Sequence, residues 1–312
     1  AHDDRGWHRT GAFGIFGATA AAGKLLGLTQ GQIIHAFGIA YSQAAGNRQC
    51  IVDGALTKRF QAGQAAHGAV LSAFLAKEGF TGAENVFAGR YGFFPMYQPD
   101  GYDLSLIDQG LGEEFLGDQI SLKPYPCGRP THGYIDAAVK LHHELDLSHN
   151  AIESVVVRTD LETHSSNYSV STGVAHPQQQ VEAQFSLTYL IGCALALGGV
   201  GIDQINAFDN PKVSAAASLI QAESKEDMPR GWAEIEVVCS GGSTASVAVD
   251  PPSGSPDNPL STKQLEEKFR DCAAHAGQCA DTASVNQIIS LIMEPESMGD
   301  SRELIKLSVP AA

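Results

Sequence analysis

Apolar side chains recur at helical spacing along three stretches rich in alanine, leucine and glycine between residues 11 and 80. The stretches are GAFGIFGATAAAGKLLGL, QIIHAFGIAYSQAAG and TKRFQAGQAAHGAVLSAFLAKEGF. Each is closed by a glycine and a polar or turn-forming residue, which is typical of helix C-termini. In the first stretch Gly11, Gly14, Gly17 and Ala20 fall three apart, which predicts a smooth strip against which another helix packs. The first third of the chain is therefore predicted to be helical.

The pattern changes from about residue 118, where the segments become short and β-branched. Strands are predicted for DQISLK, SVVVRT, WAEIEVVC and STASVAVD, and the last two alternate apolar and polar positions. SGGS between them predicts a tight hairpin turn at Gly241 and Gly242. Helices are predicted for THGYIDAAVKLHHEL and VEAQFSLTYLIGCALAL. Strands mixed with helices indicate a smaller α+β domain.

A proline-rich segment, PPSGSPDNPLS, follows and is predicted to be a linker. After it, LSTKQLEEKFRDCAAHA predicts a helix with a capping start at Ser261 or Thr262 and with Glu266 further in. The predicted fold class is mainly α with a smaller α+β domain. The predicted parts are a helical domain over 1–117, an α+β domain over 118–250, and a linker with C-terminal helices over 251–312.

The formal charge of −15 excludes some classes of partner. Nucleic acids and anionic membranes need a basic face on the protein, so neither is expected here, whereas a small anionic substrate needs only local cations. No apolar run reaches the about 20 residues that cross a bilayer. The six cysteines show no CxxC pair and no metal-ligand spacing. This predicts a reduced intracellular protein, in the cytoplasm or else in mitochondria.

Several familiar motifs fail on spacing or context. GATAAAGKLL has five residues between Gly17 and Gly23 where a phosphate-binding loop needs four, and GAFGIFG follows no predicted strand. His142 and His143 are adjacent on a predicted helix, so they point in different directions and are not expected to share a metal. No GxSxG is present. Cys127 lies near cations without a base beside it, which favours a structural thiol over a nucleophile.

Cations at the boundaries of elements remain as candidate chemistry. His8 in GWHRTG directly precedes a predicted helix, and Thr57, Lys58 and Arg59 in DGALTKRF begin another. Cations at a helix N-terminus oppose the helix dipole at a cost of about 0.3–1 kcal/mol, unless an anion lies between them and the amide groups. Spacing alone favours a solvated Lys-Arg pair, and an anion site between these cations and the helix amides is the alternative.

A second group of cations lies in KPYPCGRPTHGYIDAA, again ahead of a predicted helix. Lys123, Arg129 and His132 fall within this kinked, proline-rich stretch. They either bind an anion or are surface charges at a domain junction. The residues alone leave both interpretations open.

Five stretches, in this order, resemble the MmgE/PrpD family, which contains 2-methylcitrate dehydratase, cis-aconitate decarboxylase and iminodisuccinate epimerase. They are GWHRTGAFGIFGATAAAGKLLGL, DGALTKRFQAGQAAHGAVLSAFLAKEGFTG, KPYPCGRPTHGYIDAA, VEAQFSLTYLIGCAL and GSPDNPLSTKQLEEKF. Together they span nearly the whole chain. The resemblance implies a large helical domain built from both chain ends, a smaller α+β lid, and a cleft between them. It also implies a homodimer, and catalysis with no metal and no other cofactor.

The same resemblance implies roles for individual residues. His8, Lys58 and Lys123 match positions that line the family's cleft. His8 is expected to act as acid and base, and Lys58 as an anion clamp or second base, while Lys123 and Arg129 hold substrate carboxylates. Substrate contacts are further expected from Thr57, Arg59, Arg129, His132 and Tyr168.

The family reactions share the formation of an enolate-like dianion next to a carboxylate, whose charge must be met by fixed cations. Dehydration of a citrate-like substrate is the leading hypothesis. Epimerisation next to a carboxylate comes second, with Lys58 and Tyr168 as bases on opposite faces. Decarboxylation comes third, because the decarboxylase of animals has a histidine near Cys127, where this chain has Gly128.

One departure from the family bears on activity. Family members carry a further helical segment ahead of the GWH motif, which contributes an acidic residue and a histidine, whereas this sequence begins shortly before Trp7. The expectation is that this segment is absent, that it is a separate chain, or that the protein is catalytically incomplete. A helical domain without it would expose an apolar face and associate with something. A non-enzymatic binding or assembly protein on the same scaffold is therefore the alternative to a lyase.

Overall fold

A computed structural model of the protein describes residues 5–165, 175–229, 231–276 and 281–309. Its helices are α1 (Arg9–Leu25), α2 (Gln30–Tyr41), α3 (Gln49–Val52), α4 (Thr57–Lys77), α5 (Phe93–Tyr97), α6 (His132–Glu144), α7 (Leu161–Ser165), α8 (Gln180–Phe185), α9 (Leu187–Leu197), α10 (Ile202–Ile205), α11 (Pro211–Ser218), α12 (Thr262–Ala274), α13 (Thr282–Met293) and α14 (Arg302–Leu307). Its strands are β1 (Ile152–Thr159), β2 (Ile220–Ser224), β3 (Ala233–Cys239) and β4 (Thr244–Val249). The predicted fold class, mainly α with a smaller α+β part, is confirmed.

The chain forms two compact units, Ala1–Phe115 and Leu116–Ala312. In the described part of the first unit, regular structure is helical throughout and comprises α1 to α5 and a short 3₁₀ turn. The second unit holds the sheet and the remaining helices. The assignment of residues 251–312 to the helical domain stays a prediction.

In the first unit, α1 packs against α2 and α4 through one of its faces. Ala12, Ile15 and Phe16 are buried on this face, at the spacing of successive helical turns. They share a core with Ala65 and Ala69 of α4, whose small side chains let the helices approach closely. Burial of this apolar face stabilises the unit and holds the start of α1 in place.

The predicted strip of small residues on α1 is wrong beyond its first member. A Cβ on Gly11 would lie 2.6 Å from the carbonyl oxygen of Ala45, so this glycine does permit a close approach. Gly14, Gly17 and Ala20 are exposed instead. The helix buries its larger apolar side chains, since they remove more apolar surface from water than glycine can.

An aromatic cluster forms the other side of this core. The ring of Phe93 is fully buried and lies 4.9 Å from Phe16 and 4.5 Å from Tyr97, between ring centroids. Tyr97 also contacts the indole of Trp7 at 4.6 Å, and its hydroxyl donates to the carbonyl of Ala44 (2.7 Å). Trp7, which precedes His8, is thereby tied to the core of the unit.

The sheet of the second unit has the strand order β2-β1-β3-β4. The pairing of β1 with β2 is parallel, and the other two pairings are antiparallel. Val155, Val157, Ile235 and Val237 are fully buried and share a core with α6 and α9. The predicted β3–β4 hairpin is confirmed, and Gly242 adopts the positive φ of +84° that its turn requires.

Two strand predictions differ from the structure. Residues 118–123, predicted as a strand, continue a 3₁₀ turn at Leu116–Gln119 into irregular backbone. Conversely, β2 was not predicted from the sequence, because IQAES is short and its parallel partner is distant in the chain. Whether a segment pairs with a distant strand cannot be read from its local composition, and this explains the errors at residues 118–123 and at β2.

The helix after the proline-rich segment begins as predicted, at Ser261. The Ser261 hydroxyl accepts from the amide of Gln264 (3.3 Å), and the Gln264 side chain accepts from the amide of Ser261 (2.9 Å). Gln264 therefore completes the capping box, and Glu266 has no part in it. Among the described residues, none of the helices is both long and apolar enough to cross a membrane.

Candidate active site

His8 stands at the start of α1, where its backbone is held from both sides. Its amide donates to the carbonyl of Gly46 (3.1 Å). Its own carbonyl accepts from the amides of Gly11 and Ala12 at 3.0 and 3.1 Å. The imidazole is therefore carried on backbone whose position is set by α1 and by the segment that contains Gly46.

Two side chains of α4 contact the His8 ring. Nδ1 lies 2.7 Å from Oε1 of Gln61, and Nε2 lies 3.3 Å from Nζ of Lys58. Lys58 and Gln61 are three positions apart on the helix, so α4 presents both on one side. We call His8, Lys58 and Gln61 the His8 cluster.

The surroundings of His8 lower its pKa below the usual 6.5. Partial burial is the largest cause, and the positive charge of Lys58 is the second. The hydrogen bond with Gln61 opposes the shift, while Arg48 adds a smaller contribution to it. A lowered pKa keeps the ring neutral near pH 7, the state in which one of its nitrogens can take up a proton.

The first turn of α4 carries the predicted cations in different surroundings. Lys58 is half-buried against His8, whereas Thr57 and Arg59 are exposed on either side of it. Of the two cations in this turn, Lys58 is the one whose side chain contacts the imidazole of His8. Contact of Thr57 or Arg59 with a substrate stays a prediction.

The second predicted group lies in the other unit, in residues 121–132, which we call the Lys123 loop. The exposed Lys123 donates through Nζ to the carbonyl of Cys127 (3.2 Å). Nη2 of Arg129 donates to the hydroxyl of Ser255 (2.6 Å). Both cations are therefore oriented by polar groups of their own unit.

Residues 251–261, predicted as a linker, are bound to this loop. The amide of Leu122 donates to the carbonyl of Gly254 (2.8 Å). Gly254 has a φ of +80°, and a Cβ there would lie 2.0 Å from the carbonyl oxygen of Leu122. Only glycine fits this contact without displacing the backbone next to Lys123.

A half-buried tyrosine–carboxylate pair supports the same region. The hydroxyl of Tyr125 donates to Oδ1 of Asp136 (2.6 Å), while Oδ2 accepts from the amide of Ser253 (2.7 Å). Burial, followed by the negative charge of Asp136, raises the pKa of Tyr125. The tyrosine therefore remains a protonated donor, and Asp136 joins α6, the loop and the proline-rich segment.

His132 lies inside the protein, with 0% of its surface exposed. Neither of its ring nitrogens has a hydrogen-bond partner among the described residues, and its ring packs edge-on against Tyr125 at 5.3 Å. Burial, then Arg129 and Lys123, lowers its pKa to about 3. Substrate contact by His132 stays a prediction, and it would require the Lys123 loop to move.

Cys127 is a buried thiol in this loop. Its sulfur lies 3.2 Å from the hydroxyl of Thr131. Burial raises its pKa to about 12, and this outweighs the opposing effects of Thr131 and Lys123. A thiol with such a pKa is a poor nucleophile, which agrees with the predicted structural role.

Other parts of the chain contribute less to the candidate site. Tyr168 lies outside the described residues. In the described ranges, no group of three or more histidine, cysteine, aspartate or glutamate side chains is placed to hold a metal ion. An open cavity of about 550 Å³ lies on the first unit, lined among others by Tyr41, Phe80, Met96 and Tyr97. None of the predicted site residues lines it.

Sequence reasoning did not identify Gln61, Asp136 or Ser255, which orient the predicted residues. Gln61 follows Lys58 by three positions, so its place on the same side of α4 could have been inferred. Its contact with His8 spans 53 residues, however, and no local pattern reports it. The same holds for Arg129 and Ser255, which are 126 residues apart.

Comparison with known proteins identifies two family domains in the chain. The MmgE/PrpD N-terminal domain matches residues 1–104. The MmgE/PrpD C-terminal domain matches residues 125–294. The two matches include the His8 cluster and the part of the Lys123 loop from residue 125 onward.

Curated relatives carry related names. The chain is 29% identical to the cis-aconitate decarboxylase-like protein oryM of Aspergillus oryzae, over 97% of this chain and 65% of that protein. It is 26% identical to cis-aconitate decarboxylase of Aspergillus terreus, over 97% of this chain and 65% of that protein. It is 28% identical to human cis-aconitate decarboxylase, over 96% of this chain and 62% of that protein. The chain thus spans 62–65% of the length of these relatives.

Proposed function

The chain belongs to the MmgE/PrpD family, and from this premise we propose that it is a lyase that acts on a small di- or tricarboxylate through an enolate-like intermediate. The observation that carries the proposal is the contact of His8 Nε2 with Lys58 Nζ at 3.3 Å. It pairs a group that can move a proton with a fixed positive charge. Both are needed where a carbanion develops next to a carboxylate.

His8 is the proton-transfer group in this proposal. A neutral imidazole beside the substrate takes a proton from the carbon next to a carboxylate, and general acid–base catalysis of this kind contributes about 10²–10⁴ in rate. The lowered pKa of His8 supports the assignment, because the ring is then unprotonated at neutral pH.

Lys58 supplies the charge that the developing anion needs. Proton removal leaves an electron pair that spreads onto the carboxylate, and a nearby ammonium group stabilises this state more than the starting substrate. Lys58 is half-buried, so its charge is screened less by water than that of an exposed lysine.

Lys123 and Arg129 are proposed to bind substrate carboxylates. Lys123 is exposed, so a carboxylate could replace the carbonyl of Cys127 as its acceptor. Arg129 is held by Ser255, which fixes the guanidinium for a two-pronged contact.

Dehydration of a citrate-like substrate is the reaction we favour. The base removes the proton next to a carboxylate, its electron pair forms the carbon–carbon double bond, and the hydroxyl on the adjacent carbon leaves as water after taking up a proton. His8 and Lys58 lie close enough to divide the base and acid roles.

Decarboxylation is the second candidate, favoured by the names of the relatives. In this reaction the bond to the departing carboxyl group breaks, carbon dioxide leaves, and the remaining electron pair takes up a proton. Gly128, which cannot exchange a proton, weighs against it in this chain.

The test offers citrate, 2-methylcitrate and cis-aconitate separately to the purified protein and follows each by proton NMR in deuterated water. A new vinylic proton from citrate, or a methyl singlet on a double bond from 2-methylcitrate, supports dehydration when no carbon dioxide is released. Release of carbon dioxide supports decarboxylation. Deuterium uptake without net conversion would indicate epimerisation instead. Tight carboxylate binding by calorimetry without any turnover would overturn the lyase proposal and favour the binding protein.

A further inference from the structure

The amide of Gln61 has one orientation that satisfies its neighbours. Its Nε2 lies 3.0 Å from the carbonyl oxygen of Asn47. A carbonyl oxygen only accepts hydrogen bonds, so the amino group of Gln61 must face Asn47. The oxygen Oε1 must then face His8, at 2.7 Å from Nδ1. Exchange of the two amide atoms would place two acceptors against each other at Asn47.

This orientation determines which nitrogen of His8 carries the proton. Oε1 of Gln61 can only accept, so Nδ1 must donate. A neutral imidazole has a single ring proton, and Nε2 is therefore left with its lone pair. On that side lies Nζ of Lys58 at 3.3 Å, and an ammonium group only donates. Both contacts select the same tautomer.

The backbone holds the acceptor in place. The carbonyl of Asn47 that orients Gln61 belongs to the residue next to Gly46, which itself accepts from the amide of His8. Gly46 has a φ of +131°, and a Cβ there would lie 3.2 Å both from Oε1 of Gln61 and from the carbonyl oxygen of His8. The glycine therefore lets the two side chains meet closely.

We propose that Gln61 is a positioning residue that fixes His8 as the tautomer with its proton on Nδ1 and directs the lone pair of Nε2 toward Lys58. The inference rests on the proposed function, because His8 must be the group that moves the proton. Gln61 acts through His8 and need not touch the substrate. In its absence the ring could rotate or exchange its proton between the two nitrogens, and the base would be misdirected.

The charges around the ring agree with this role. Lys58 on α4 and Arg48 ahead of α3 both disfavour the charged imidazolium, whereas the hydrogen bond with Gln61 favours it. Removal of Gln61 should therefore lower the pKa of His8 further, in addition to releasing its tautomer.

The test reads the tautomer directly, by ¹⁵N NMR of protein labelled in its histidine rings, with His8 assigned from a His8→Gln variant. In the native protein, we expect His8 to show a protonated Nδ1 and an unprotonated Nε2. In Gln61→Met, which keeps the length of the side chain, we expect the population of this tautomer to fall. In Gln61→Glu, which keeps an acceptor beside the ring but loses the donor to Asn47, we expect Nδ1 to stay protonated. A proton on Nε2 in the native protein would overturn the proposal without any variant.

The matched control is Gln64→Met, which changes an exposed glutamine one turn further along the same helix. It should leave the His8 signals and the rate unchanged. If turnover is measurable, Gln61→Met should lower kcat at least about tenfold with little change in KM, and by no more than the about 10²–10⁴ that acid–base catalysis supplies. A Gln61→Met variant with native His8 signals would also overturn the proposal. Turnover that survives His8→Gln would instead overturn the proposed function, and the tautomer result would stand by itself.

Discussion

At the scale of single residues, His8 has both ring nitrogens engaged, one by Gln61 and one by Lys58. These two side chains therefore determine which ring nitrogen of His8 carries the proton. Lys58 can be tested separately from Gln61, because it acts through charge and lies on the opposite side of the ring.

Replacement of Lys58 by alanine is expected to abolish turnover while the melting temperature stays within a few degrees. The lysine is only half-buried, so its loss leaves no large cavity, whereas the developing anion loses its fixed charge. Turnover and thermal melting would be measured together. Lys77→Ala, in the last turn of the same helix, serves as the control and should retain activity. A large loss of stability in Lys58→Ala would show that the lysine is structural.

We expect His132 to make the stability of the protein sensitive to acid. Its pKa is lowered from 6.5 to about 3 in the folded protein, so the unfolded chain binds the proton more readily. We expect His132 to have no effect on the free energy of unfolding above pH 6.5. Below that pH it should lower this free energy progressively, by roughly 4 kcal/mol near pH 3. His132→Leu should lose much less stability between pH 7 and pH 4 in urea denaturation.

The control for His132 is His143→Leu, which removes an exposed histidine from the same helix. It should keep the acid sensitivity of the native protein. Equal acid sensitivity in the native protein and in His132→Leu would mean that other groups cause it.

At the scale of elements, Asp136 connects three pieces of chain through its two oxygens. Asp136→Ala would leave the Tyr125 hydroxyl and the Ser253 amide without partners, at a cost of about 2–4 kcal/mol in the free energy of unfolding. Tyr125→Phe removes one of these contacts and should cost less. Asp257→Ala, an exposed carboxylate of the proline-rich segment, should have little effect in the same urea titration. Equal losses for Asp136→Ala and Tyr125→Phe would show that the Ser253 contact contributes nothing.

Elements that depend on nearby residues were predictable, and those that depend on distant pairing were not. The β3–β4 hairpin and the Ser261 cap are confirmed because each is specified within a few residues. DQISLK has strand-like composition but pairs with no strand among the described residues, whereas β2 has a parallel partner more than 60 residues earlier. The burial of His132 is likewise invisible in the sequence, where only its neighbouring cations are apparent.

At the scale of the whole molecule, the change near residue 118 from helical spacing to short, β-branched segments predicts a two-part architecture, and the units divide close by, after Phe115. The family resemblance is confirmed by matches to both family domains. The homodimer and the roles of the predicted site residues stay predictions, since each depends on contacts with another molecule.

Removal of divalent metals is expected to leave turnover unchanged. The proposed mechanism places the stabilising charge on lysine and arginine side chains, which chelators do not affect. Activity would be compared before and after exhaustive dialysis against EDTA. A loss of activity that a divalent cation restores would show that the charge is supplied by a metal instead.

His8 lies directly before the start of the long helix α1, so we expect its activity to depend on the folded state of the first unit. Its backbone is bonded to the first turn of α1, and the ring of its neighbour Trp7 contacts that of Tyr97 at the edge of the aromatic core. The imidazole that we propose as the base is therefore carried on backbone that is hydrogen-bonded within the first unit. On heating, catalysis should persist until the near-ultraviolet circular dichroism of these rings collapses, and both signals should disappear at one temperature.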